Sequence, residues 1–193
     1  MSTMARWEPD ARGRFLRAAI ELFTEQGYDQ TTVAQIAGRA GLTKTTFFRH
    51  FPDKREVLFF GQPVLVQLAA EAVTAAPADA GPLEAVGAGV SAMASAHTDE
   101  QREYGSQLQA VVAATNELRE RALFKHASIA DAIAGALRGR GVTEPAAGIA
   151  GELGARAYHL GFDRWLEATN TRPLPELAQE ALDEFRKAVA ALL

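Results

Sequence analysis

The chain has 193 residues, a length suited to one domain or to a small domain joined to a larger one. Hydrophobic residues make up 48% and charged residues 23%, so the chain can bury a core. The absence of cysteine excludes a disulfide framework, a thiol nucleophile and a thiolate metal site. The longest uncharged stretches, Val57–Ala70 and Ala85–Thr98, have 14 residues each, short of the roughly 20 that span a bilayer. With no signal-peptide pattern at the amino terminus, we expect no membrane partner and a cytoplasmic protein.

Charge is distributed unevenly along the chain. The net charge is −4, yet residues 1–60 hold nine Lys and Arg against seven Asp and Glu, whereas residues 61–193 hold eleven against seventeen. A mildly basic head on an acidic body suggests two functions in one chain.

The amino-terminal part predicts a series of short helices. The first extends from about Pro9 to Gln26, with Gly27 as its stop signal. Thr32–Gln35 matches a capping box, in which a Thr hydroxyl and a Gln side chain satisfy the free amides of a helix start. The second helix begins there and stops at Gly41.

The second and third helices are separated only by Gly41–Thr43. The third helix begins at Lys44 with Thr43 as N-cap, and Pro52 ends it near His50 or Phe51. Two helices joined by a three-residue turn that contains Gly form a helix-turn-helix, whose second helix can lie in a DNA major groove. The alternative is that this helix pair is only a scaffold.

The side chains of the third helix favour the DNA-binding alternative. Phe47 is expected to face inward with Leu42 and Phe51, which directs the opposite side of the helix outward. That outward side and its flanks hold hydroxyls, cations and one aromatic ring: Lys44, Thr45, Thr46, Phe48 and Arg49. Hydroxyls and cations suit phosphate and base-edge contacts, and an aromatic ring can lie against a sugar or a thymine methyl. A merely solvated face remains the alternative.

The rest of the chain also predicts helices. Asp53–Glu56 matches a second capping box, which would open a fourth helix that continues to about Ala75 with a kink at Pro63. Breaks rich in Gly, Pro or polar residues then divide the remainder into about five helices. We therefore predict an all-α fold of about nine helices.

Three segments carry a resemblance to a known family. LFTEQGY at 22–28, TTVAQIA at 31–37 and AGLTKTTFFRHFPDK at 40–54 resemble the amino-terminal domain of the tetracycline-repressor (TetR) family. The resemblance implies a three-helix helix-turn-helix DNA-binding domain over residues 9–69. A fourth helix would link it to a helical effector-binding and dimerisation domain over residues 70–193.

The resemblance also implies roles for individual residues. Contacts with DNA phosphates would come from Thr31 or Thr32, Thr43, His50 and Lys54. Side chains at or near base edges would be Lys44, Thr45, Thr46 and Arg49. Phe48 departs from the tyrosine usual in the family, whose hydroxyl reaches a phosphate, so we expect the backbone contacts to be weighted differently. The implied partner is a palindromic double-stranded DNA operator.

Catalytic and metal-binding patterns are missing from the sequence. The four histidines show no metal-ligand spacing. There is no nucleophile elbow, no phosphate-cradling glycine loop and no obvious pair of carboxylates on an apolar helix. We therefore predict that the chain is not an enzyme and has neither a metal site nor a cofactor.

The last two predicted helices suggest a homodimer. The penultimate helix, about residues 145–168, has apolar residues on more than one face, and the last, from Leu174, has a long apolar stripe. Two such helices from each of two chains would build a four-helix bundle, as the resemblance also implies. The alternative is that both helices only close the core of one chain.

Polar groups in otherwise apolar helices are candidates for a small-molecule site. They are His97, Tyr104, Gln107, His126, Tyr158 and His159, with Phe162 beside them. Each could instead have an ordinary core or surface role. Together the patterns predict a homodimeric transcriptional regulator, a repressor released by a small organic effector. The alternative is a helical small-molecule-binding protein of the same fold that does not bind DNA.

Overall fold

The computed structural model describes residues 10–192 and shows nine α-helices, one short 3₁₀ helix and no strand in that range. The helices are α1 Ala11–Gln26, α2 Val33–Arg39, α3 Lys44–His50, α4 Gln62–Ala75, α5 Pro82–Ser95, α6 Asp99–Ala114, α7 Asn116–Gly139, α8 Ala146–Leu166 and α9 Leu174–Ala190. The 3₁₀ helix, Glu56–Leu58, lies between α3 and α4. The predicted all-α fold of about nine helices is confirmed.

The chain divides into two compact units. The first, called the head below, contains the described residues up to Phe60 together with Gln107–Leu118, the segment in which α6 ends and α7 begins. The second, called the body, contains Gly61–Ser106 and the described residues from Arg119 onward. The domain limits 9–69 and 70–193 stay a prediction.

Local capping residues set the ends of α1. The Asp10 carboxylate accepts a hydrogen bond from the Gly13 amide at 3.0 Å, which satisfies one free amide of the first turn. Pro9, where the sequence placed the helix start, lies outside the described residues. Gly27 ends the helix with a φ of 85°, a left-handed backbone region that favours glycine.

The helix-turn-helix forms as its capping residues predict. Thr32 caps α2 with both bonds of the capping box, since its hydroxyl accepts from the Gln35 amide and the Gln35 side chain accepts from the Thr32 amide. Gly41 makes the turn with a φ of 66°. Thr43 then caps α3 by accepting a hydrogen bond from the Thr46 amide at 3.1 Å.

The predicted start of the fourth helix at Asp53 is wrong. The Asp53 carboxylate does accept from the amides of Arg55 and Glu56, but only the 3₁₀ turn Glu56–Leu58 follows. α4 begins at Gln62, with Pro63 in its first turn instead of at a kink. A proline fits the first turn of a helix, because it has no amide hydrogen and the amides of that turn have no carbonyl partner within the helix.

The head has an aromatic core of its own. Its largest buried side chains are each at most 2% exposed: Phe15, Ile20, Ile36, Phe47, Phe51, Val57 and Leu118. α1 packs against α2, and α2 packs against α3. The core thus fixes the three helices of the helix-turn-helix unit to one another.

In the body, helices approach closely at glycines of α8. A Cβ on Gly161 would lie 2.5 Å from the Cα of Ala178, so only glycine permits this contact with α9. A Cβ on Gly154 would lie 2.6 Å from Val86 of α5. α8 therefore packs tightly against both of these helices, and α4 packs on α5.

These contacts predict opposite effects for two glycine-to-alanine substitutions. Gly161→Ala should lower the free energy of unfolding by about 1–3 kcal/mol, because backbone must move to admit the methyl group. Gly135→Ala in α7 is the matched control, since its Cβ would meet only the Arg138 side chain at 3.6 Å. It should raise stability by about 0.5–1 kcal/mol. Urea unfolding of both variants measures the difference, and equal effects would contradict the tight packing.

Candidate nucleic-acid interface and candidate ligand site

A buried phenylalanine orients α3. The Phe47 side chain is fully buried, and its ring centroid lies 5.2 Å from that of Phe15 in an edge-to-face contact. Phe51, at the end of α3, completes the cluster with a centroid 5.1 Å from Phe47. Since Phe47 is in the centre of a helix of only seven residues, its burial determines which side of α3 faces the solvent.

The outward side of α3 carries the residue types that the sequence predicted for base and phosphate contacts. Lys44, Thr45 and Arg49 are exposed, and the Phe48 side chain is 49% exposed. The Lys44 ammonium lies 5.8 Å from the centroid of the Phe48 ring, within the range of a cation–π contact. The result is an exposed, cationic surface with one aromatic ring, called the α3 face below.

Two other predicted residues of α3 also have structural contacts. The hydroxyl groups of Thr43 and Thr46 are 2.9 Å apart, next to the cap of the helix. The His50 ring is half-buried against the rings of Phe15 and Phe51, with centroid distances of 6.4 and 6.2 Å. These residues are at the edge of the α3 face and help to hold it in place.

The structure distinguishes the two threonines between which the sequence left a choice. Thr31 is 1% exposed, and its hydroxyl donates to the Gly27 carbonyl at 2.8 Å. Thr32 is exposed at the amino terminus of α2. Of the pair, Thr32 is the one that a phosphate could reach.

Lys54 has a position that the sequence did not predict. Its ammonium group donates to the carbonyls of Tyr28 at 2.7 Å and of Thr31 at 3.2 Å, and it lies 4.0 Å from the centroid of the Tyr28 ring. Lys54 therefore connects the loop before α2 with the loop after α3. Two of the three ammonium hydrogens are used within the chain, which leaves one for another acceptor.

The head contains a cluster of polar residues that the sequence did not predict. The Tyr28 hydroxyl donates to Glu117 at 3.3 Å, and Arg55 pairs with Glu117 at 3.3 Å and with Asp53 at 2.8 Å. Burial, together with the nearby Glu117 carboxylate, raises the pKa of Tyr28. Since 89 residues separate Tyr28 from Glu117, no local pattern pointed to this contact.

Three of the predicted effector residues form one aromatic cluster in the body. The His97 ring contacts the rings of Tyr158, Phe162 and Trp165, with centroids 5.9, 5.2 and 6.0 Å away. The Nδ1 atom of His97 lies 3.2 Å from the Met93 carbonyl, and Nε2 lies 3.2 Å from the Tyr158 hydroxyl. This network assigns the proton to Nδ1, so that Nε2 accepts from Tyr158.

Two more of the predicted residues form a histidine pair. The Nδ1 atoms of His126 and His159 are 3.2 Å apart, and Nε2 of His126 lies 3.2 Å from the Glu152 carboxylate. Nδ1 of His159 also lies 2.7 Å from the Ala155 carbonyl. Nδ1 of His159 donates its hydrogen to the Ala155 carbonyl, because a carbonyl can only accept, and Nε2 of His126 donates to the Glu152 carboxylate.

The aromatic cluster and the histidine pair adjoin each other, but the structure does not bring all predicted effector residues together. The ring centroids of Tyr158 and His159 are 5.2 Å apart. Burial lowers the pKa of both His97 and His159, so these imidazoles are neutral at pH 7. Tyr104 is half-buried on α6 in the body, whereas Gln107 is exposed and belongs to the head.

Metal-holding clusters and membrane-spanning helices are both absent from residues 10–192. No group of three or more His, Cys, Asp or Glu side chains in this range is arranged to hold a metal ion. Within the same range, no helix combines the length and apolar character needed to cross a bilayer.

Comparison with known proteins identifies the head. Residues 15–59 match the family described as "Bacterial regulatory proteins, tetR family". The HTH-type transcriptional regulator TcmR of Streptomyces glaucescens is 40% identical over 75 residues, which are 39% of this chain and 33% of TcmR. The chain thus matches only about a third of the length of that relative.

Solved structures extend the similarity to most of the chain. Thermus thermophilus FadR, a TetR family transcriptional repressor in complex with lauroyl-CoA, is 27% identical with a TM-score of 0.50, covering 89% of this chain and 91% of FadR. SmeT in a complex with triclosan is 21% identical with a TM-score of 0.61, and the match covers 92% of this chain and 90% of SmeT. This match shows that the two chains have a similar fold. TcmR and FadR are both named as transcriptional regulators. The head therefore matches the tetR family of bacterial regulatory proteins, and the fold of the chain resembles that of a TetR family repressor.

Proposed function

We propose that the chain is a transcriptional repressor that binds a palindromic DNA operator as a homodimer in the cytoplasm and leaves it when a small organic effector binds the body. The observation that carries this proposal is the α3 face, which presents Lys44, Thr45, Phe48 and Arg49 outward from a helix fixed by the buried Phe47. Side chains of this kind on a helix-turn-helix suit the major groove.

The contacts with DNA would be of two kinds. Lys44 is in the first turn of α3, which lies deepest in the groove in such domains, so we assign it to a base edge. Thr32 and Thr43, at the amino-terminal ends of α2 and α3, would contact phosphates together with the helix amides. The remaining ammonium hydrogen of Lys54 could also reach a phosphate.

Dimerisation would use the outer faces of α8 and α9. Ile149 on α8 is 55% exposed and lines an open groove with Leu153, and Val189 and Leu192 near the end of α9 are also exposed. Burying such side chains against a second copy is favourable. A homodimer would present two α3 faces to DNA, and a palindrome requires them to be about 34 Å, one DNA turn, apart.

The effector site would be the aromatic cluster around His97, Tyr158 and Phe162. Neutral imidazole, phenol and phenyl groups suit an apolar or amphipathic organic compound with few charges. The lauroyl chain of the ligand in the FadR complex is an apolar group of this kind. A coupling free energy of about 1–3 kcal/mol between the two sites would change operator affinity by roughly 5–150-fold.

The proposed DNA contacts can be tested with a duplex obtained by in vitro selection from random sequences. The selection should yield a palindrome. Lys44→Ala should weaken binding to this duplex by about 1–3 kcal/mol and change binding to a scrambled duplex little. Arg119→Ala, which removes a cation at an exposed position of α7, is the control and should leave both affinities unchanged. Equal losses on both duplexes would make Lys44 a phosphate contact, and failure to select any sequence would contradict DNA recognition.

The proposed dimer can be tested on an exposed side chain. Ile149→Glu should convert the dimer into monomers that bind DNA poorly, because a carboxylate would be buried at the interface. Since Ile149 is exposed in the single chain, thermal unfolding of the monomer should change little, as for other surface substitutions. Val64→Glu, at a 56% exposed position of α4, is the matched control. Sedimentation measures the outcome, and an unchanged dimer in Ile149→Glu would remove α8 from the interface.

The effector site can be tested with the compound that co-purifies with the protein, identified by native mass spectrometry. Tyr158→Phe keeps the ring but removes the hydroxyl that donates to His97. It should change the effector concentration at which half of the protein is released from DNA by about fivefold. This factor corresponds to the net free energy of one hydrogen bond, about 1 kcal/mol. Operator affinity without effector should stay the same. If that affinity collapsed while the effector response persisted, Tyr158 would serve the structure only.

A further inference from the structure

The head contains an open pocket of about 660 Å³, and none of the residues assigned above to an effector lines it. It is formed where the end of α1 and the following loop face the turn between α6 and α7. Its lining residues are Phe23, Gln26, Gly27, Tyr28, Asp29, Gln30, Val111, Ala114, Thr115, Asn116 and Glu117. All of them belong to the head.

The pocket combines an apolar floor with a polar rim. Phe23, Tyr28 and Val111 are each at most 7% exposed and supply two aromatic rings and a branched side chain. Exposed polar side chains, among them Gln26 and Asp29, surround this floor. A volume of this size accommodates a small organic molecule.

The charged groups of the pocket are all acidic. Among the described residues that line it, Asp29 and Glu117 carry carboxylates, and none of the lining side chains is a cation. Arg55 offsets part of the Glu117 charge through their contact at 3.3 Å, but the side chain of Asp29 is exposed. The Lys54 ammonium, 4.0 Å from the centroid of the Tyr28 ring, is bonded to the carbonyls of Tyr28 and Thr31. The preference for a positive charge on a ligand therefore rests on the exposed Asp29 carboxylate.

The helix ends add to this preference. α1 and α6 both end at the pocket, and neither has a basic residue in its last turn. The carboxy-terminal end of a helix carries a partial negative charge from its carbonyl groups, which favours a nearby cation. The amino terminus of α7 has the opposite sign, but Glu117 is in its first turn and offsets it.

We propose that this pocket is a second ligand site that takes an amphipathic organic cation. The apolar part of the ligand packs on Phe23, Tyr28 and Val111, and its ammonium group lies near Asp29 and the carbonyl end of α1. The site is separate from the effector site in the body and does not require that the chain binds DNA.

The test uses the full chain and two probes of nearly equal size, protonated 2-phenylethylamine and neutral 2-phenylethanol. Amide chemical shifts should change at Tyr28 and Thr115 when the amine is added. The amine should bind at least about threefold more tightly than the alcohol at low ionic strength, and this ratio should fall toward one at high salt. Equal affinities for both probes would overturn the proposal. So would the absence of shift changes at about 10 mM amine, a concentration that nearly saturates a site with a dissociation constant of about 1 mM.

Three variants locate the probe. Ala114→Trp should fill the pocket and abolish the shift changes, whereas Ala113→Trp, an exposed neighbour outside the lining, should not. Asp29→Asn should weaken binding of the amine by about threefold and leave binding of the alcohol unchanged. Since these positions are exposed, circular dichroism should show the fold intact. Undiminished amine binding in folded Ala114→Trp would place the probe elsewhere and overturn the proposal.

Discussion

The burial of Phe47 is the contact on which the proposed function depends most. A helix of seven residues cannot fix its own orientation, but the fully buried ring between Phe15 and Phe51 allows α3 only one rotation about its axis. In that rotation Lys44 and Arg49 point to solvent. Packing in the core of the head therefore determines which side chains are available to DNA, and the Gly41 turn and the Thr43 cap only have to set where the helix begins.

In the body, glycines fix the position of α8 as Phe47 fixes that of α3 in the head. Gly151 of α8 has space for no side chain against the Ala130 carbonyl of α7, and Gly161 has none against α9. Because α8 packs on other helices of its own chain at these glycines, only part of its surface, including Ile149, stays exposed. α8 thus closes the core of its own chain, and a dimer contact through the exposed Ile149 stays a proposal.

The sequence predicted those features that depend on neighbouring residues. The caps at Thr32 and Thr43 and the inward direction of Phe47 follow from helix periodicity and from the bonds of free amides, which act over three or four residues. The carbonyl contacts of Lys54 and the bond between Tyr28 and Glu117 could not be predicted, because they join segments that are distant in sequence. Only the folded chain brings these residues together, and the pocket in the head depends on the same distant segments.

The central claim, that the α3 face binds DNA, is tested most directly by photocrosslinking from two exposed phenylalanine positions. Phe48 is 49% exposed on α3, and Phe124 is 60% exposed on α7. p-Benzoylphenylalanine placed at either position keeps a benzyl side chain and reacts only with groups that it touches. With the selected duplex, the probe at position 48 should crosslink to DNA and the probe at position 124 should not. Crosslinking from position 124 and none from position 48 would contradict the account.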